Sequence, residues 1–477
     1  MLVCTRWTCL VLFAFVSVAS SADEKKSDPP KGLDGLWSGV LKAGLVELRL
    51  VVKIDKKGDG WTGAMDSLDE GIKAIPIDPI EFKDGAVKLE FKTVKAVFEG
   101  KLKDDGSELI GAWKQRGASL SLTFKRTDKA PEIARPQNPK KPYPYDEHEV
   151  KYDSLQAGIK LAGTLTVPRG QGPFPVVIML SGSGPQDRDE TIFNHKPFLV
   201  IADQLTRQGI AVLRVDDRGV GGSTGDVSKA TLEDNLEDVL AGIVLLKARK
   251  DIDGTKIGLI GHSEGGILAP FVATRSKDVA FIVLLAGTGL TGEDILYLQG
   301  QAILKSMGAG EAQLKRQRET QELLFSAIKQ EKDNDKAKKL IHERLAELKS
   351  KLSPIEQALF ETQKKALDAQ IAAITSPWFR FFLTYDPRPA LRKVQVPVLA
   401  IIGEKDLQVP PKENLEAIGK ALAEGGNKDH LLKELPGLNH LFQTAKTGSI
   451  QEYGRIEETF APAALTLMAE WILKQVK

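Results

Sequence analysis

At 477 residues and 42% hydrophobic content, the chain is long enough for two or three domains and can bury a large core without disulfide staples. Its formal net charge of +2, with no basic stripe interleaved with aromatics, argues against nucleic acid or a strongly anionic membrane surface as a partner. Both cysteines, Cys4 and Cys9, fall in the first few residues, so a chain processed beyond them has no thiol for catalysis, metal binding or disulfides.

Those first residues read as a signal peptide over 1–22. Arg6 precedes an apolar run from Trp7 to Val18, and Ser20-Ser21-Ala22 supplies small residues for cleavage. The run is shorter than the ~20 residues that span a bilayer. No later stretch is apolar enough to span, so the expectation is an exported protein, periplasmic or extracellular, with no integral membrane span.

Residues 23–128 then read as a small antiparallel all-β domain, a barrel or sandwich. Runs such as Val46–Ile54, Lys88–Lys92, Ala96–Gly100 and Leu120–Phe124 alternate with period two, and Gly58-Asp-Gly60, Lys83-Asp-Gly85 and Asp104-Asp-Gly106 fall where hairpins need turns. Residues 129–145 hold too many prolines for a helix or central strand and form a stiff linker.

Over 146–477 the pattern changes. Near-continuous apolar runs at Val176–Leu180, Ala211–Val215, Ile257–Ile260, Phe281–Leu285 and Val398–Ile402 alternate with helical stretches, which implies a mostly parallel sheet with helices on both faces. Residues 289–376 break that rhythm. They are rich in Lys, Glu, Gln, Ala and Leu, as expected of a helical cap inserted over one end of the sheet, either a solvated hairpin or a lid shaping a pocket.

Gly261-His262-Ser263-Glu264-Gly265-Gly266 follows an apolar strand and precedes the helical run from Ile267. In that context Gly-x-Ser-x-Gly is a nucleophile elbow, where the serine takes a strained conformation and only flanking glycines leave room for it. A serine hydroxyl needs a base to take its proton and an acid to orient that base, in the chain order serine, acid, histidine. Three histidines follow Ser263. His342 lies in the charged insertion and His430 at the entering end of a strand, whereas His440 sits in the Pro/Gly loop after that strand. Asp406, on the loop after Val398–Ile402, is the candidate acid, with Glu404 as its rival. The oxyanion donors expected are the backbone N–H groups of Glu264 and Ser183, in Ser181-Gly-Ser-Gly-Pro185.

Neither Gly182-Ser-Gly184 nor Gly219-Val-Gly221 has dinucleotide-fingerprint spacing, and no His-Glu-x-x-His occurs. No cofactor and no metal is therefore expected, and Asp217 and Arg218 are read as an ion pair beside the site. Of the aromatics after the insertion, Trp378 and Phe382 are the candidates for a substrate pocket, with core packing as the plainer alternative.

From about residue 145 onward the chain resembles the bacterial α/β-hydrolases of the serine aminopeptidase-like and dienelactone hydrolase-like group. The resemblance is carried by Ser181-Gly-Ser-Gly-Pro-Gln-Asp-Arg-Asp189, Asp216-Asp-Arg-Gly-Val-Gly-Gly-Ser223, the elbow, Gly403-Glu-Lys-Asp406 and Asn439-His440. It implies an α/β-hydrolase fold with Ser263, Asp406 and His440 as triad, Ser183 and Glu264 at the oxyanion hole, and cleavage of small-molecule carboxylic esters through an acyl-enzyme. Ser181-Gly182 departs from the group's usual His-Gly. The β-domain is similar to a lipocalin-like module through Gly35-Leu-Trp37 and its hairpin spacing. Rival expectations are a serine aminopeptidase or thioesterase and, in another class, a non-catalytic ligand-binding protein.

Overall fold

Period-two alternation in the first part of the chain becomes nine antiparallel strands: β1 (Gly35–Ala43), β2 (Val46–Lys57), β3 (Gly60–Ser67), β4 (Ile72–Ile77), β5 (Ile80–Lys83), β6 (Ala86–Phe91), β7 (Ala96–Leu102), β8 (Glu108–Gln115) and β9 (Ala118–Thr127). The structure is a computed structural model describing residues 32–43, 46–69, 72–115, 117–131, 134–156, 158–350, 357 and 364–477. The expected signal peptide over 1–22 lies outside the described residues, as does a part of the insertion.

The strands pair in the order β4-β3-β2-β1-β9-β8-β7-β6-β5. Between β5 and β6 the chain turns on Asp84 and Gly85 at φ 49° and 76°, the left-handed pair that a two-residue hairpin requires. Hydrogen bonds from Asp78 N to Glu90 O and from Glu90 N to Pro79 O bring the chain between β4 and β5 onto β6, curling the sheet into a barrel. Its interior is full. Trp37, Leu89, Phe98, Leu109 and Phe124 are all 0% exposed, so the lumen is a packed core and not a ligand capsule.

The described residues form two compact units, one of residues from 32 to 136 together with Tyr453–Glu457, the other of Gln137–Glu452 and Glu458–Lys477. The second holds β10 (Tyr145–Asp153), β11 (Lys160–Pro168), β12 (Phe174–Leu180), β13 (Ala211–Val215), β14 (Ile252–His262), β15 (Val279–Leu285), β16 (Val398–Gly403) and β17 (His430–Leu435). Their order is β10-β11-β13-β12-β14-β15-β16-β17, with β10, β11 and β13 antiparallel neighbours and the rest parallel. All the parallel strands end at the same edge.

Each sheet face has its own core. Leu236, Ile243, Leu268 and Ile418, from helices Leu232–Lys247, Gly265–Ala273 and Pro411–Glu424, cover one face. Ile201, Leu205, Met468 and Ile472, from helices Pro197–Arg207 and Pro462–Gln475, cover the other. Thr231 and Asp234 cap helix Leu232–Lys247 reciprocally, which fixes where the chain turns in beside the sheet edge.

After β15 the described part of the insertion is helical, Gly292–Ser306, Glu311–Gln330, Asn334–Ser350 and Lys364–Ile374, and helix Pro377–Thr384 follows directly on it. These helices share a core of their own around Tyr297, Phe325, Ile341, Ile374 and Phe379. Arg380 donates to the carbonyls of Ile328 and Glu331 at 2.6 and 2.8 Å, satisfying the open end of helix Glu311–Gln330. No helix among the described residues is long and apolar enough to cross a membrane.

Because the barrel interior is packed by its own side chains, Phe98→Ala should destabilise the protein by about 3–5 kcal/mol. Urea unfolding followed by tryptophan fluorescence checks this, and an unchanged midpoint would contradict a filled barrel.

Candidate active site

Strand β14 delivers Ser263 to the sheet edge and helix Gly265–Ala273 leaves immediately, so the serine must reverse the chain in one residue. It does so at φ +52°, a conformation that costs a non-glycine residue of order 1–3 kcal/mol. Close packing enforces the turn. A Cβ on Gly261 would sit 2.0 Å from Gly265 O, and one on Gly265 would sit 2.2 Å from Leu180 O. Ser263 N donates to Leu285 O at 2.8 Å, pinning the elbow to β15.

Asp406 follows β16. The N–H groups of Gln408 and Val409 both donate to its Oδ1 at 2.8 Å, which leaves Oδ2 to accept from His440 Nδ1, also at 2.8 Å. The rival Glu404 instead accepts from Gly437 N at 2.7 Å. His440 is held by its neighbour: buried Asn439 accepts from Leu441 N and Gln443 N at 3.0 and 2.9 Å, closing the loop into a tight turn. His430 stands at the start of β17, and His342 is exposed on helix Asn334–Ser350. With Nδ1 committed to a carboxylate, Nε2 of His440 is the nitrogen left as a base. The Ser263 hydroxyl makes no hydrogen bond among the described residues.

On the loop after β12, Gly182 N–H is committed to Glu190 Oε1 at 2.7 Å. The N–H groups of Ser183 and Glu264 donate to no protein acceptor among the described residues. The loop itself is fastened by charge. Arg188 donates to Asp216 at 2.8 Å, Asp189 meets Arg214, and Asp217 accepts from Ser181 Oγ and Gln186 N at 2.7 and 2.9 Å. The expected ion pair between Asp217 and Arg218 does not form, because each side chain is committed to other partners. Arg218 reaches Asp238 on helix Leu232–Lys247 at 2.6 Å.

Beside the elbow lies a cavity of about 430 Å³, walled by Leu161, Ile178, Val215, Val239 and Leu268 and floored by Gly182, Glu264 and Gly265. From the insertion come Ala373 and Ser376, and from the helix just after it Trp378, so the cap shapes this cavity rather than standing apart in solvent. Trp378 donates from Nε1 to Glu264 Oε1 at 2.9 Å. Phe382 does not line the cavity. It stacks behind Trp378 with ring centroids 5.3 Å apart and packs on Ile402 and Val409.

Two carboxyls, Asp217 and Glu264, face this apolar space. Burial pushes Asp217 up to about 7 against the lowering hydrogen bonds from Ser181 and Gln186, with Glu264 and Glu190 adding to the rise. Burial also pushes Glu264 up to about 6, opposed by the Trp378 hydrogen bond. Glu190 and His262 also escaped the sequence reading. His262 Nδ1 donates to Glu190 Oε1 at 2.9 Å, and its ring centroid lies 4.9 Å from that of His440. The signal for His262 was its place within the elbow motif, and for Glu190 its place at the end of the charged run from Asp187.

An unfolded aspartate titrates near pH 4, so between about pH 4 and 7 the folded protein retains a proton on Asp217 that the unfolded chain has lost. This group's contribution to stability therefore falls as pH rises through that window. Asp217→Asn should melt progressively higher relative to the parent as pH goes from 5 to 8 in differential scanning calorimetry. A gap constant across pH would contradict the shift.

The sequence family of X-Pro dipeptidyl-peptidases (S15) matches residues 157–432. The chain is similar to esterase EstD of Thermotoga maritima, 27% identical over 351 residues that cover 72% of each chain. Among solved structures it is similar to an α/β-hydrolase, GrgF, from Penicillium (17% identity, 69% of this chain and 99% of that one, TM-score 0.43). An esterase of Pyrococcus furiosus matches at 16% identity, over 70% of this chain and 94% of that one, with a TM-score of 0.41. With the family match spanning more than half of its length, this chain belongs to the X-Pro dipeptidyl-peptidase (S15) family.

Proposed function

We propose that the protein is a serine carboxylesterase that works through an acyl-enzyme, with Ser263 as nucleophile, His440 as general base and Asp406 as the acid that orients it. The single observation that carries this reading is the His440 Nδ1 to Asp406 Oδ2 hydrogen bond of 2.8 Å beside a serine elbow at φ +52°. The likeness to esterase EstD supports the choice of ester over amide.

In this reading, rotation of the unbonded Ser263 hydroxyl brings Oγ to His440 Nε2, a contact that commonly tightens only when substrate arrives. As Nε2 takes the proton, Oγ attacks the ester carbonyl carbon. The carbonyl oxygen becomes an oxyanion held by Ser183 N–H and Glu264 N–H, each donor supplying about 3 kcal/mol of transition-state stabilisation. Collapse breaks the carbon–oxygen bond to the alcohol, which leaves with the proton from His440. Water then repeats the sequence and frees the acid. The 430 Å³ cavity is the acyl site, and that volume lies in the range of small-molecule pockets and far exceeds an acetyl group. No cofactor enters any of these steps.

A second reading, a peptidase that captures a substrate amine, is favoured by one observation: Asp217 and Glu264 line the cavity. Aminoacyl anilides test it directly. Export to the periplasm or medium, supported by the sequence of residues 1–22, completes the proposal. N-terminal sequencing of the mature protein would reveal Asp23 as the first residue if it is right.

Ser263→Ala should abolish fluorophosphonate labelling and lower kcat by about 10⁴-fold or more; labelling equal to the parent's would displace Ser263 as nucleophile. With p-nitrophenyl esters, kcat/KM should rise from acetyl to butyryl and longer chains, with little turnover of aminoacyl anilides. Trp378→Ala should shift that chain-length profile more than Phe382→Ala, because only Trp378 faces the cavity. Identical profiles in both would remove the cavity from the acyl site.

A further inference from the structure

Behind the Ser263, Asp406 and His440 cluster lies a second acid–imidazole pair that no step of ester cleavage consumes. Glu190 lies in the loop between β12 and helix Pro197–Arg207, and it holds a left-handed backbone at φ +52°, uncommon for a residue with a Cβ. Its Oε1 accepts from two partners, Gly182 N at 2.7 Å and His262 Nδ1 at 2.9 Å. On the far side of the ring, His262 Nε2 donates to the backbone carbonyl of His440 at 3.0 Å. Glu190 and His262 are 4% and 6% exposed.

A neutral imidazole has a single N–H, yet both ring nitrogens of His262 face oxygens, the Glu190 carboxylate and the His440 carbonyl. Opposite an ionised Glu190, the doubly protonated ring satisfies both contacts and its charge is met by that carboxylate. Burial alone would oppose that charge. The Glu190 carboxylate, the hydrogen bonds to Glu190 and to the His440 carbonyl, and the more distant Asp406 outweigh burial and raise His262 above the ordinary histidine range.

We propose that Glu190 and His262 are positioning residues: a buried carboxylate–imidazolium pair that ties the oxyanion loop to the elbow and the elbow to the histidine loop. The inference rests on the reading of Ser263 and His440 given above. Each link acts within one residue of a reacting group. Glu190 fixes Gly182 N–H, and so aims the next N–H along, that of Ser183. His262 directly precedes Ser263. The His440 carbonyl anchors the residue whose ring is the base. Gly182 is pressed into this arrangement, since a Cβ there would lie 2.9 Å from Glu190 Oε1 and 3.4 Å from Ser263 Cβ. Stability alone is a poor reason for such a pair, because buried ion pairs can often be replaced by apolar side chains at no loss. Geometry is the better reason, since the pair sets the spacing of three loops at once.

The test uses the full chain and p-nitrophenyl butyrate. Glu190→Gln keeps the volume and an acceptor for Gly182 N–H but removes the charge facing His262. Glu190→Ala removes both. We expect kcat to fall about tenfold in Glu190→Gln and about 10²–10³-fold in Glu190→Ala, the loss typical of one oxyanion donor, with KM within about twofold of the parent. The graded recovery from Ala to Gln is the readout that a merely structural role would not produce. Should Glu190→Ala fail to fold, Glu190→Gln decides alone. Parental kcat in Glu190→Gln, or a loss borne by KM, overturns the proposal. Ser263→Ala, assayed alongside, separates the two readings. Activity surviving in Ser263→Ala removes the nucleophile assignment itself, whereas its loss there beside a parental Glu190→Gln removes only this inference.

Discussion

The rest of the hydrolase unit depends on one backbone reversal at Ser263. A strand that ends and a helix that begins within two residues can meet only if the turn is left-handed and nothing larger than hydrogen stands at the contact points. The contacts extend beyond Gly261 and Gly265. A Cβ on Gly266 would fall 2.6 Å from the Cα of Gly287, so the helix after the elbow presses directly on the chain leaving β15. A strained turn persists only where its surroundings over-determine it. Here those surroundings are the β12 and β15 edges, the Leu285 carbonyl and the buried helix behind.

The polar residues around the elbow follow from the same demand. Under the proposed mechanism this loop aims backbone N–H groups at a reacting oxygen, and groups so used cannot hold the loop, which must then be held by side chains. The runs Gln186-Asp-Arg-Asp-Glu190 and Arg214-Val-Asp-Asp217 are two halves of that fastening: Arg188 meets Asp216, Asp189 meets Arg214, and Gln186 N meets Asp217. Breaking one partner of such a pair leaves an uncompensated charge at a cost of about 3–5 kcal/mol. The network thus gives the loop a single low-energy position.

Much of this was legible from residue order alone, because the parallel strands are apolar runs and the elbow, acid and histidine lie at their exits in a fixed sequence. The hairpin of β10 and β11 was not legible as strands. Strand β11 is buried, yet it carries Gly163, Thr164 and Thr166, and the two threonine hydroxyls find partners on other elements, Glu149 on β10 and Thr206 on helix Pro197–Arg207 among them. Pairing across the chain also defeated the reading of Asp217 and Arg218, where adjacency suggested an ion pair and each side chain turned to a different element. The same holds for Glu190 and His262, which stand 72 positions apart in the chain. Composition reports which charges exist; only the fold reports which ones meet.

The cavity carries the remaining tension, between a peptidase family and an esterase relative. A serine triad cleaves esters and amides by the same steps, so discrimination falls to whatever surrounds the acyl and leaving groups. Asp217 and Glu264 are pushed up to about 7 and 6 by burial, so near neutral pH the cavity wall lies close to the boundary between neutral and charged. An apolar acyl chain filling the space would displace water and favour the neutral carboxyls. An ammonium group would do the opposite, pulling both toward ionisation and gaining attraction in return. Under the proposed mechanism, the protonation of these two side chains, more than the triad, would separate an ester cleaver from an amine-reading peptidase.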